Sequence, residues 1–503
     1  MFDVAGTMVT TPRPRCSAVL FAPSLLTITA GRRLLASAPS AGLMNGRRLG
    51  HVGQLRNGNL ELVYDEGYRE VPGATPLSTA MPLTAPRYRD RLVRPFLVGL
   101  LPDNDDVLSR WGQTFGVSNR NPLALLGYVG EDCACAAQFV RPDRLDDLAR
   151  GGIGWLDETD VEDRLRAIRL DPTAWLWGAD EQAQFSLAGA QSKIALLREG
   201  DCWGRPHGRV PTSRILKVAS RRSADQEITE QVTMRAARLA GLVVAGSELA
   251  TFGAERAIVI ERHDRLSVDD DLERVHQEDL CQALGLLPER KYQWLGGPGP
   301  IDIVKLLRAR MPSTVADEAV ARFVDALVFN WLVGGTDAHA KNYSLLMQGP
   351  EVRLAPLYDL TSGLPYRDGL LGGGRDSRKR TGHTILKMAM SIGGESYFSE
   401  VKRSNWESFA TQAGVDTEWV LQRIHDLGSV LPAAVSTASS EMHGFEAAPV
   451  LDEIVDSVAV HVAEMMKAID RPNPKPPAIR TTDSPAREQG GPRDAKRTRM
   501  ARE

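Results

Sequence analysis

Asp337, Asn342 and Asp359 are residues whose types and spacing could do chemistry in this 503-residue chain. They lie in GGTDAHAKNYS (334–344) and LAPLYDL (354–360), and Asn342 follows Asp337 by five positions. Phosphoryl transfer needs a carboxylate that orients the acceptor, an amide oxygen for Mg²⁺, and a second carboxylate between metal and phosphates. The order of these three side chains fits that chemistry. The D-x₄-N pattern alone is common, so its meaning depends on the surrounding elements.

Two charged residues upstream complete the set that such chemistry needs. Lys217 lies in a short β-like run, and Glu230 lies on the helix predicted after it. In a kinase, a strand lysine contacts the nucleotide phosphates and a helical glutamate holds that lysine. An edge-strand lysine that faces water is the alternative interpretation of Lys217.

Two helices must position these side chains. Ser223 can cap the first, with Gln226 at the capping-box position, and the helix is predicted to run to about Ala240. The second spans 315–332, where apolar residues recur at helical spacing along one face. This long helix leads directly into the loop that carries Asp337.

The region 44–150 shows mixed α and β patterns without a reactive constellation. Alternating apolar residues on either side of Asn57-Gly58 predict a β-hairpin with a tight turn. Helices are predicted over Asp105–Phe115 and Pro122–Val129. We interpret this region as an accessory α+β subdomain.

Composition and charge exclude several classes of protein. The chain is 43% apolar and 25% charged, with a net charge of −3, which gives no overall reason to expect nucleic-acid binding. Its five cysteines are scattered without a CxxC motif, so neither a disulfide scaffold nor a structural zinc site is expected. No run approaches the ~20 apolar residues of a membrane-spanning helix. A cytoplasmic protein that does not enter a membrane is predicted.

The two ends of the chain differ from the rest. Residues 1–43 are predicted to be an uncertain or disordered extension, although the apolar stretch 17–30 weakly imitates a signal peptide. A translation start further downstream is the alternative. Residues 469–503 are predicted to be a disordered basic tail, because from Arg471 onward nine Lys/Arg face four Asp/Glu and no aromatic residue occurs.

Several segments, taken in order, resemble the HipA family of bacterial serine/threonine kinase toxins. The segments that carry this resemblance are FSLAGAQSKIALL (185–197), RILKVAS (214–220), VIERHDR (259–265), HQEDLCQALG (276–285), GTDAHAKNYSLL (335–346), LAPLYDL (354–360) and KMAMSIGGE (387–395). Two earlier segments, PLSTAMPL (76–83) and FLVGLLPDN (96–104), resemble the accessory subdomain of that family. The resemblance extends from about Met44 to about Met465.

The resemblance implies an α+β fold of the bilobal protein-kinase type with an N-terminal accessory α+β subdomain. The implied boundaries are 44–150 for the accessory subdomain, 151–263 for a small mixed α/β lobe, and 264–468 for a large helical lobe. The implied substrate and cofactor are ATP and Mg²⁺.

The resemblance also implies roles for the candidate residues. Asp337 would accept the proton of the acceptor hydroxyl or orient that hydroxyl, and Asn342 and Asp359 would hold Mg²⁺. Lys217 would contact the ATP phosphates, with Glu230 as its ion-pair partner. Glu227 is the alternative partner, and the distance of Glu230 from Gly241, which ends the helix, favours Glu230. We call residues 334–344 the catalytic loop.

Further residues are implied to bind the nucleotide. The segment 186–193, here called the phosphate loop, matches the glycine-rich loop of the family, although it is neither a P-loop nor a G-x-G-x-x-G motif. Its candidate binding residues are Ser186, Ala188, Gly189, Ala190, Gln191 and Lys193. Glu261 and His263 fall at the hinge where the family contacts adenine, and the family usually has phenylalanine at the position of His263. His339 is included as a loop-ordering residue that contacts the nucleotide.

Three positions have secondary or regulatory interpretations. Ser186 aligns with the serine that family members autophosphorylate, and a phosphate there is expected to displace the phosphate loop and switch the kinase off. Lys341 could neutralise the transferred phosphoryl group or face solvent. The basic segment 372–380 could contact an acidic or RNA-bound substrate or be a solvated loop.

The function that the resemblance implies is a protein kinase toxin. Its protein substrate would belong to translation, an aminoacyl-tRNA synthetase among the candidates. Its partner would be a small helix-turn-helix antitoxin of the HipB type, through which any contact with DNA would be indirect. The alternatives are a small-molecule or lipid kinase of the same fold, and a corepressor-type binding module of an antitoxin–DNA complex.

Overall fold

The computed structural model describes residues 40–176, 185–189, 191–219, 225–269, 271–366, 386–442, 444–445 and 448–471. Several sequence-based predictions fall outside these residues. They concern Ala190 of the phosphate loop, the capping residue Ser223, the basic segment 372–380, residues 1–39 of the extension and residues 472–503 of the tail.

The accessory subdomain is built around a five-stranded antiparallel sheet with the order β4-β3-β2-β1-β6. Its strands are β1 (Ser40–Met44), β2 (Arg47–Gln54), β3 (Leu60–Tyr64), β4 (Arg87–Arg89), β5 (Asp132–Cys133) and β6 (Ala137–Val140). Its helices are α1 (Glu66–Arg69), α2 (Asp90–Gly99), α3 (Asp105–Phe115), α4 (Pro122–Val129) and α5 (Leu145–Arg150). Because β1 pairs with β2 from Ser40 and with β6 from Ala41, the ordered sheet begins four residues before the predicted boundary at 44.

Local sequence explains these elements. Leu60, Leu62 and Tyr64 alternate along β3 and are buried, while Gly58 supplies the positive φ of the predicted turn. The side chain of Asn104 accepts hydrogen bonds from two backbone N–H groups at the start of α3. The helices predicted over 105–115 and 122–129 are confirmed with the same bounds.

The small lobe has a six-stranded antiparallel sheet with the order β12-β13-β11-β9-β10-β7. Its elements are β7 (Gly152–Leu156), α6 (Glu158–Leu170), β8 (Phe185–Ser186), β9 (Lys193–Glu199), β10 (Cys202–His207), β11 (Arg214–Lys217), α7 (Gln226–Leu239), β12 (Ser247–Phe252) and β13 (Glu255–Glu261). The short strand β8 pairs in parallel with β5 of the accessory subdomain. The register places Lys217 directly opposite Lys193.

The large lobe is mainly helical, as predicted. Its helices are α8 (Leu280–Ala283), α9 (Pro300–Arg310), α10 (Ser313–Val333), α11 (Arg403–Ala413), α12 (Thr417–Ser440) and α13 (Ala448–Asp470). Its strands are β14 (Arg265–Val268), β15 (Asp271–Arg274), β16 (His276–Asp279), β17 (Ser344–Gln348), β18 (Glu351–Leu354), β19 (Lys387–Ile392) and β20 (Glu395–Tyr397). Helix α13 ends two residues beyond the predicted lobe boundary at 468. Within the described part of the chain, no helix is long and apolar enough to cross a membrane.

Helix α7 connects the two lobes. It follows β11 of the small lobe, yet Ile228 and Val232 are buried in the same core as Phe323 and Val324 of α10. Burial of large apolar side chains is the main force that fixes a helix in place. The acidic residues of α7 are therefore held by the large lobe while they face a strand of the small lobe.

Candidate active site

A cleft of about 470 Å³ lies between the lobes, a size typical of small-molecule sites. Strands β9 and β11 border it on one side and the catalytic loop on the other. The structure brings these sequence-predicted residues to its lining: Ala188, Gly189, Gln191, Lys193, Lys217, Glu261, His263, Asp337, His339, Asn342 and Asp359.

Lys217 joins the two lobes by a pair of charged contacts. Its Nζ lies 2.7 Å from Oε1 of Glu230 and 2.7 Å from Oδ1 of Asp359. Glu227, the alternative on α7, instead pairs with Arg256 at 2.7 Å. The contact predicted for Lys217 is therefore made by Glu230.

Burial and charge act in opposite directions on this group of ions. Burial by itself would lower the pKa of Lys217, but the Asp359 and Glu230 carboxylates raise that pKa above its ordinary value. Burial would raise the pKa of Asp359, whereas Lys217 and Lys193 lower it below its usual range. The pKa of Glu230 is raised, because its burial outweighs the effect of Lys217. Lys217 and Asp359 are thus held in their charged forms.

Asp359 has an unusual backbone conformation. Its φ is +56°, in the left-handed region that residues other than glycine seldom adopt. Its side chain is 38% exposed toward the cleft, although it contacts the buried Lys217. Such conformations concentrate at functional sites, where the surrounding structure maintains them. The carboxylate is in this way presented to the cleft rather than packed into the core.

The catalytic loop begins where α10 ends. Gly334, with φ +70°, terminates the helix, and a 3₁₀ turn follows over Ala340–Asn342. The side-chain amide of Asn342 donates to the backbone oxygen of Asp337 at 2.8 Å, so its carbonyl oxygen remains as an acceptor. The Asp337 side chain is 54% exposed and accepts a hydrogen bond from the hydroxyl of Tyr292. The loop therefore presents one carboxylate and one amide oxygen to the same cleft.

His339 is a buried residue of this loop. Burial lowers its pKa, so the imidazole is neutral at pH 7. Its ring packs edge-on against Tyr292 with centroids 4.9 Å apart, and its backbone N–H donates to the oxygen of Asp337 at 2.8 Å. These contacts agree with the interpretation of His339 as a residue that orders the loop.

The phosphate loop is tied at several points. Lys193 donates to the oxygen of Ala188 at 2.6 Å, and Gln191 donates to the oxygen of Val218 at 3.4 Å. Gly189 has φ +104°, and a Cβ there would lie 2.7 Å from Nζ of Lys193. Only glycine therefore fits this conformation with the lysine in place.

Ser186 starts the phosphate loop and is fully buried. Its hydroxyl donates to the oxygen of Leu100 at 2.7 Å. A buried hydroxyl in this position has no access to a phosphoryl donor in the cleft. Transfer of phosphate to Ser186 would require the loop to leave its place.

The two hinge candidates have different surroundings. The carboxylate of Glu261 is exposed and lies 3.5 Å from Arg214. His263 stacks on Tyr358 with centroids 5.2 Å apart and bonds to Gln277 at 2.8 Å. Burial lowers the pKa of His263, so a neutral ring borders the cleft at this hinge.

Sequence reasoning missed three residues of the cleft, namely Asp103, Lys291 and Tyr292. Asp103 of the accessory subdomain binds Lys341 at 2.5 Å and Lys291 at 2.9 Å, and Tyr292 contacts Asp337 as described. Lys341 does not face solvent, since only 4% of its side chain is exposed. No local pattern signalled these contacts, because Asp103 and Lys341 are separated by 238 positions.

Comparison with known proteins identifies the family. The family model described as the HipA-like C-terminal domain matches residues 185–435, and that of the HipA N-terminal domain matches residues 43–140. The putative kinase Y4mE of Sinorhizobium fredii is 35% identical over 395 residues, covering 78% of this chain and 90% of the relative. The serine/threonine-protein kinase toxin HipA of Shewanella oneidensis is 33% identical over 307 residues, covering 58% of this chain and 68% of the relative.

A solved structure agrees with this result at the level of the fold. The Shewanella oneidensis HipA in its complex with HipB and operator DNA superposes with a TM-score of 0.71 at 23% identity. The match covers 86% of this chain and 98% of that one. It confirms the predicted bilobal, kinase-like α+β fold with an accessory subdomain. The chain therefore belongs to the HipA family of serine/threonine kinases.

Proposed function

We propose that this protein is an ATP- and Mg²⁺-dependent protein kinase toxin, which transfers phosphate to a serine or threonine of a translation-related protein. The observation that carries the proposal is the bridge from Lys217 to Glu230 and Asp359, with Asp337 and Asn342 in the same cleft. This arrangement places a lysine that can bind phosphates beside the oxygen ligands that phosphoryl transfer needs.

In this mechanism Asp337 acts on the acceptor hydroxyl. Its exposed carboxylate accepts the hydroxyl hydrogen bond and takes the proton as the oxygen bonds to the γ-phosphorus of ATP. The bond from that phosphorus to the bridging oxygen breaks, and ADP leaves. The hydroxyl of Tyr292 donates to Oδ1 of Asp337, so this carboxylate already accepts a hydrogen bond from a hydroxyl in the cleft.

The residues present suit a magnesium ion. Asp359 offers a charged carboxylate, and Asn342 retains its carbonyl oxygen because its amide nitrogen is engaged with the Asp337 backbone. Hard oxygen donors of this kind are the ligands that Mg²⁺ prefers. When bound, the ion would neutralise negative charge on the phosphates. Lys217 lies against Asp359 and would orient that carboxylate.

Nucleotide contacts are assigned to both sides of the cleft. Lys217 and Lys193 supply positive charge for the phosphates, and backbone N–H groups of the phosphate loop add dipoles. The neutral ring of His263 provides a flat surface for a purine, together with the backbone at Glu261. His339, a member of the catalytic loop, packs against Tyr292 and helps to order the loop.

Autophosphorylation of Ser186 is proposed as the regulatory reaction. The burial of its hydroxyl means that the phosphate loop has to leave the cleft before transfer. A phosphorylated Ser186 would carry close to two negative charges and could not return to the position beside Leu100. In the modified protein the phosphate loop would stay displaced from the cleft, and the kinase would be inactive.

The proposed partner is a small helix-turn-helix antitoxin of the HipB type, and contact with DNA would pass through that partner. The solved relative in complex with HipB and operator DNA supports this assignment. An aminoacyl-tRNA synthetase is a candidate substrate, and the cytoplasm is the proposed location. These assignments follow from family membership rather than from a particular surface of this chain.

The test is phosphate transfer from labelled ATP in the purified protein. Wild type is expected to label itself at Ser186, and Asp337→Asn is expected to abolish labelling while retaining ATP binding, because only the carboxylate on the acceptor is lost. Ser186→Ala should remove the self-label. Binding of ATP without any phosphate on protein would contradict the proposal, and phosphate on an added lipid or metabolite alone would favour the small-molecule alternative.

A further inference from the structure

Asp103 lies in the accessory subdomain but its carboxylate reaches the catalytic loop. Oδ1 is 2.5 Å from Nζ of Lys341, and Oδ2 is 2.9 Å from Nζ of Lys291. The Asp103 side chain is only 9% exposed. One carboxylate thus uses both oxygens to join two cations from separate segments of the large lobe.

The two lysines belong to segments that already contact each other. The N–H of Ala340, next to Lys341, donates to the oxygen of Lys291 at 3.2 Å, and the hydroxyl of Tyr358 donates to the oxygen of Lys341 at 2.8 Å. Asn342 follows Lys341 directly in the same 3₁₀ turn. Asp103 therefore adds an ionic link between these two segments, next to the 3₁₀ turn that carries Asn342, the proposed metal ligand.

The same accessory segment also holds the phosphate loop. The N–H of Asp103 donates to the oxygen of Gly189 at 3.1 Å, and the oxygen of Leu100 accepts the hydroxyl of Ser186 at 2.7 Å. Strand β5 adds parallel pairing with Phe185–Ser186. The segment from Leu100 to Asp103 is thus in contact with both loops that border the phosphate end of the cleft.

We propose that the accessory subdomain completes the active site, with Asp103 as a positioning residue for the catalytic loop. This inference rests on the proposed kinase function and adds a residue to it. Asp103 holds Lys341 and Lys291 together, so that Asn342 and Asp337 keep their positions when a nucleotide enters. It also neutralises part of the positive charge that the two lysines bring to the cleft.

A positioning role differs from general stabilisation in its kinetic signature. Loss of the Asp103 charge leaves two ammonium groups beside the phosphate site, which should retain or strengthen ATP binding. The transfer step should nevertheless slow, because small displacements of reacting groups reduce rates strongly. General destabilisation would instead weaken ATP binding and lower the melting temperature together.

The experiment measures self-labelling of the full chain at a series of ATP concentrations. Asp103→Asn is expected to lower the rate at saturating ATP by about 10- to 100-fold, with the half-saturating ATP concentration unchanged or lower. In the Lys341→Met/Lys291→Met background, adding Asp103→Asn should change the rate by less than about threefold, because both of its lysine partners are already absent. Asp105→Asn, an exposed carboxylate on the first turn of α3, is the matched control and should behave as wild type.

Several results would overturn the inference. An Asp103→Asn rate within about threefold of wild type, or an equal loss with and without the two lysines, would remove the positioning role. If Asp103→Asn does not fold, Lys341→Met carries the test, with an expected loss of at least about tenfold at saturating ATP. A wild type that transfers no phosphate would contradict the proposed function itself, whereas active wild type with unaffected variants would contradict only this inference.

Discussion

Two groups of charged residues, one in the cleft and one at the hinge, differ in how far their side chains are exposed. The site cluster consists of Lys217, Glu230 and Asp359. The hinge cluster consists of five residues from the accessory subdomain, the hinge and the adjoining strands β14 and β15: Asp132, Arg262, Asp264, Arg265 and Arg274. Both contain acids and bases in direct contact, so residue type does not separate them.

The hinge cluster is enclosed, and among the described residues Nε of Arg274 is its one buried side-chain atom without a hydrogen-bond partner. Arg262 contacts Asp132 at 3.1 Å and Asp264 at 2.8 Å, and it also donates to the oxygen of Cys133 at 2.6 Å. Arg265 binds Asp132 at 2.7 Å from a second direction. These side chains are nearly inaccessible to water. This cluster fastens the accessory subdomain to the hinge.

The site cluster is left incomplete. Asp359 is 38% exposed and has a left-handed backbone conformation. Among the described residues, none donates a hydrogen bond to Oε2 of Glu230. Buried polar groups are normally paired, and exceptions often mark functional sites. Because each cluster contains one unpaired buried atom among the described residues, the difference lies in exposure: the site cluster presents Asp359 to the cleft, whereas the hinge cluster is enclosed.

The largest effect is expected from Arg262→Met in the hinge cluster. Removing this cation leaves Asp132 and Asp264 buried with fewer partners, which should lower the free energy of unfolding by about 3–5 kcal/mol. Urea denaturation measures it. Arg353→Met, which breaks an exposed pair with Glu351, is the control and should change this free energy by only about 0–1 kcal/mol. Equal effects of the two variants would show that the hinge cluster is not structural.

In the site cluster, Asp359→Asn should strongly reduce phosphate transfer and leave the stability of the fold nearly unchanged. Phosphate transfer is expected to fall by about 10²–10³-fold, because the charged oxygen proposed to bind the metal is lost. The free energy of unfolding should change by less than about 1 kcal/mol, since the side chain is partly exposed and asparagine tolerates a positive φ. A loss of activity that simply follows a loss of folded protein would contradict the comparison.

Glu230→Gln and Glu227→Gln test the comparison within a single helix. Glu230 binds Lys217 and Glu227 binds Arg256, although both are buried on α7. Glu230→Gln should lower kcat/KM for ATP by about 10- to 100-fold, the equivalent of one charged hydrogen bond. Glu227→Gln should leave kcat/KM within about twofold of wild type, because Glu227 binds Arg256 instead of Lys217 and does not line the cleft. Similar losses in both would refute the assignment of Glu230.

The smallest effect concerns pH. Burial, followed by the charge of Lys217, lowers the pKa of Lys193 to about 8. As the pH rises through this value, Lys193 loses its proton and its attraction for phosphate, so kcat/KM for ATP should decline above pH ~8. Lys193→Gln should start lower and lack this decline. If the variant declines in the same way, another group is responsible.

Much of the fold could be predicted because its signals are local. The bounds of α3 and α4 follow from capping residues and apolar spacing, and the hairpin follows from Asn57-Gly58. The apolar spacing over 315–332 lies within α10, whose bounds are Ser313–Val333. Counting positions from Gly241 pointed to Glu230, and the structure places that residue against Lys217.

The remaining site contacts could not be predicted from local patterns. Nothing near Asp103 indicates that it meets Lys341, and the sequence left open whether Lys341 faces solvent. Tyr292 and Lys291 stand in a short segment without a regular period. Contacts of this kind depend on how whole subdomains pack, which no hydrophobic repeat records.

By itself, the sequence determined which residues could carry chemistry and which helices and strands they occupy. These properties depend on residue type and on spacing within a few turns of helix or along one strand. Only the tertiary structure decided that Ser186 is buried, that Lys341 is paired, and that an accessory carboxylate reaches the catalytic loop. The physical reason is that hydrogen bonds and ion pairs act over a few ångströms, and packing alone brings distant segments within that range.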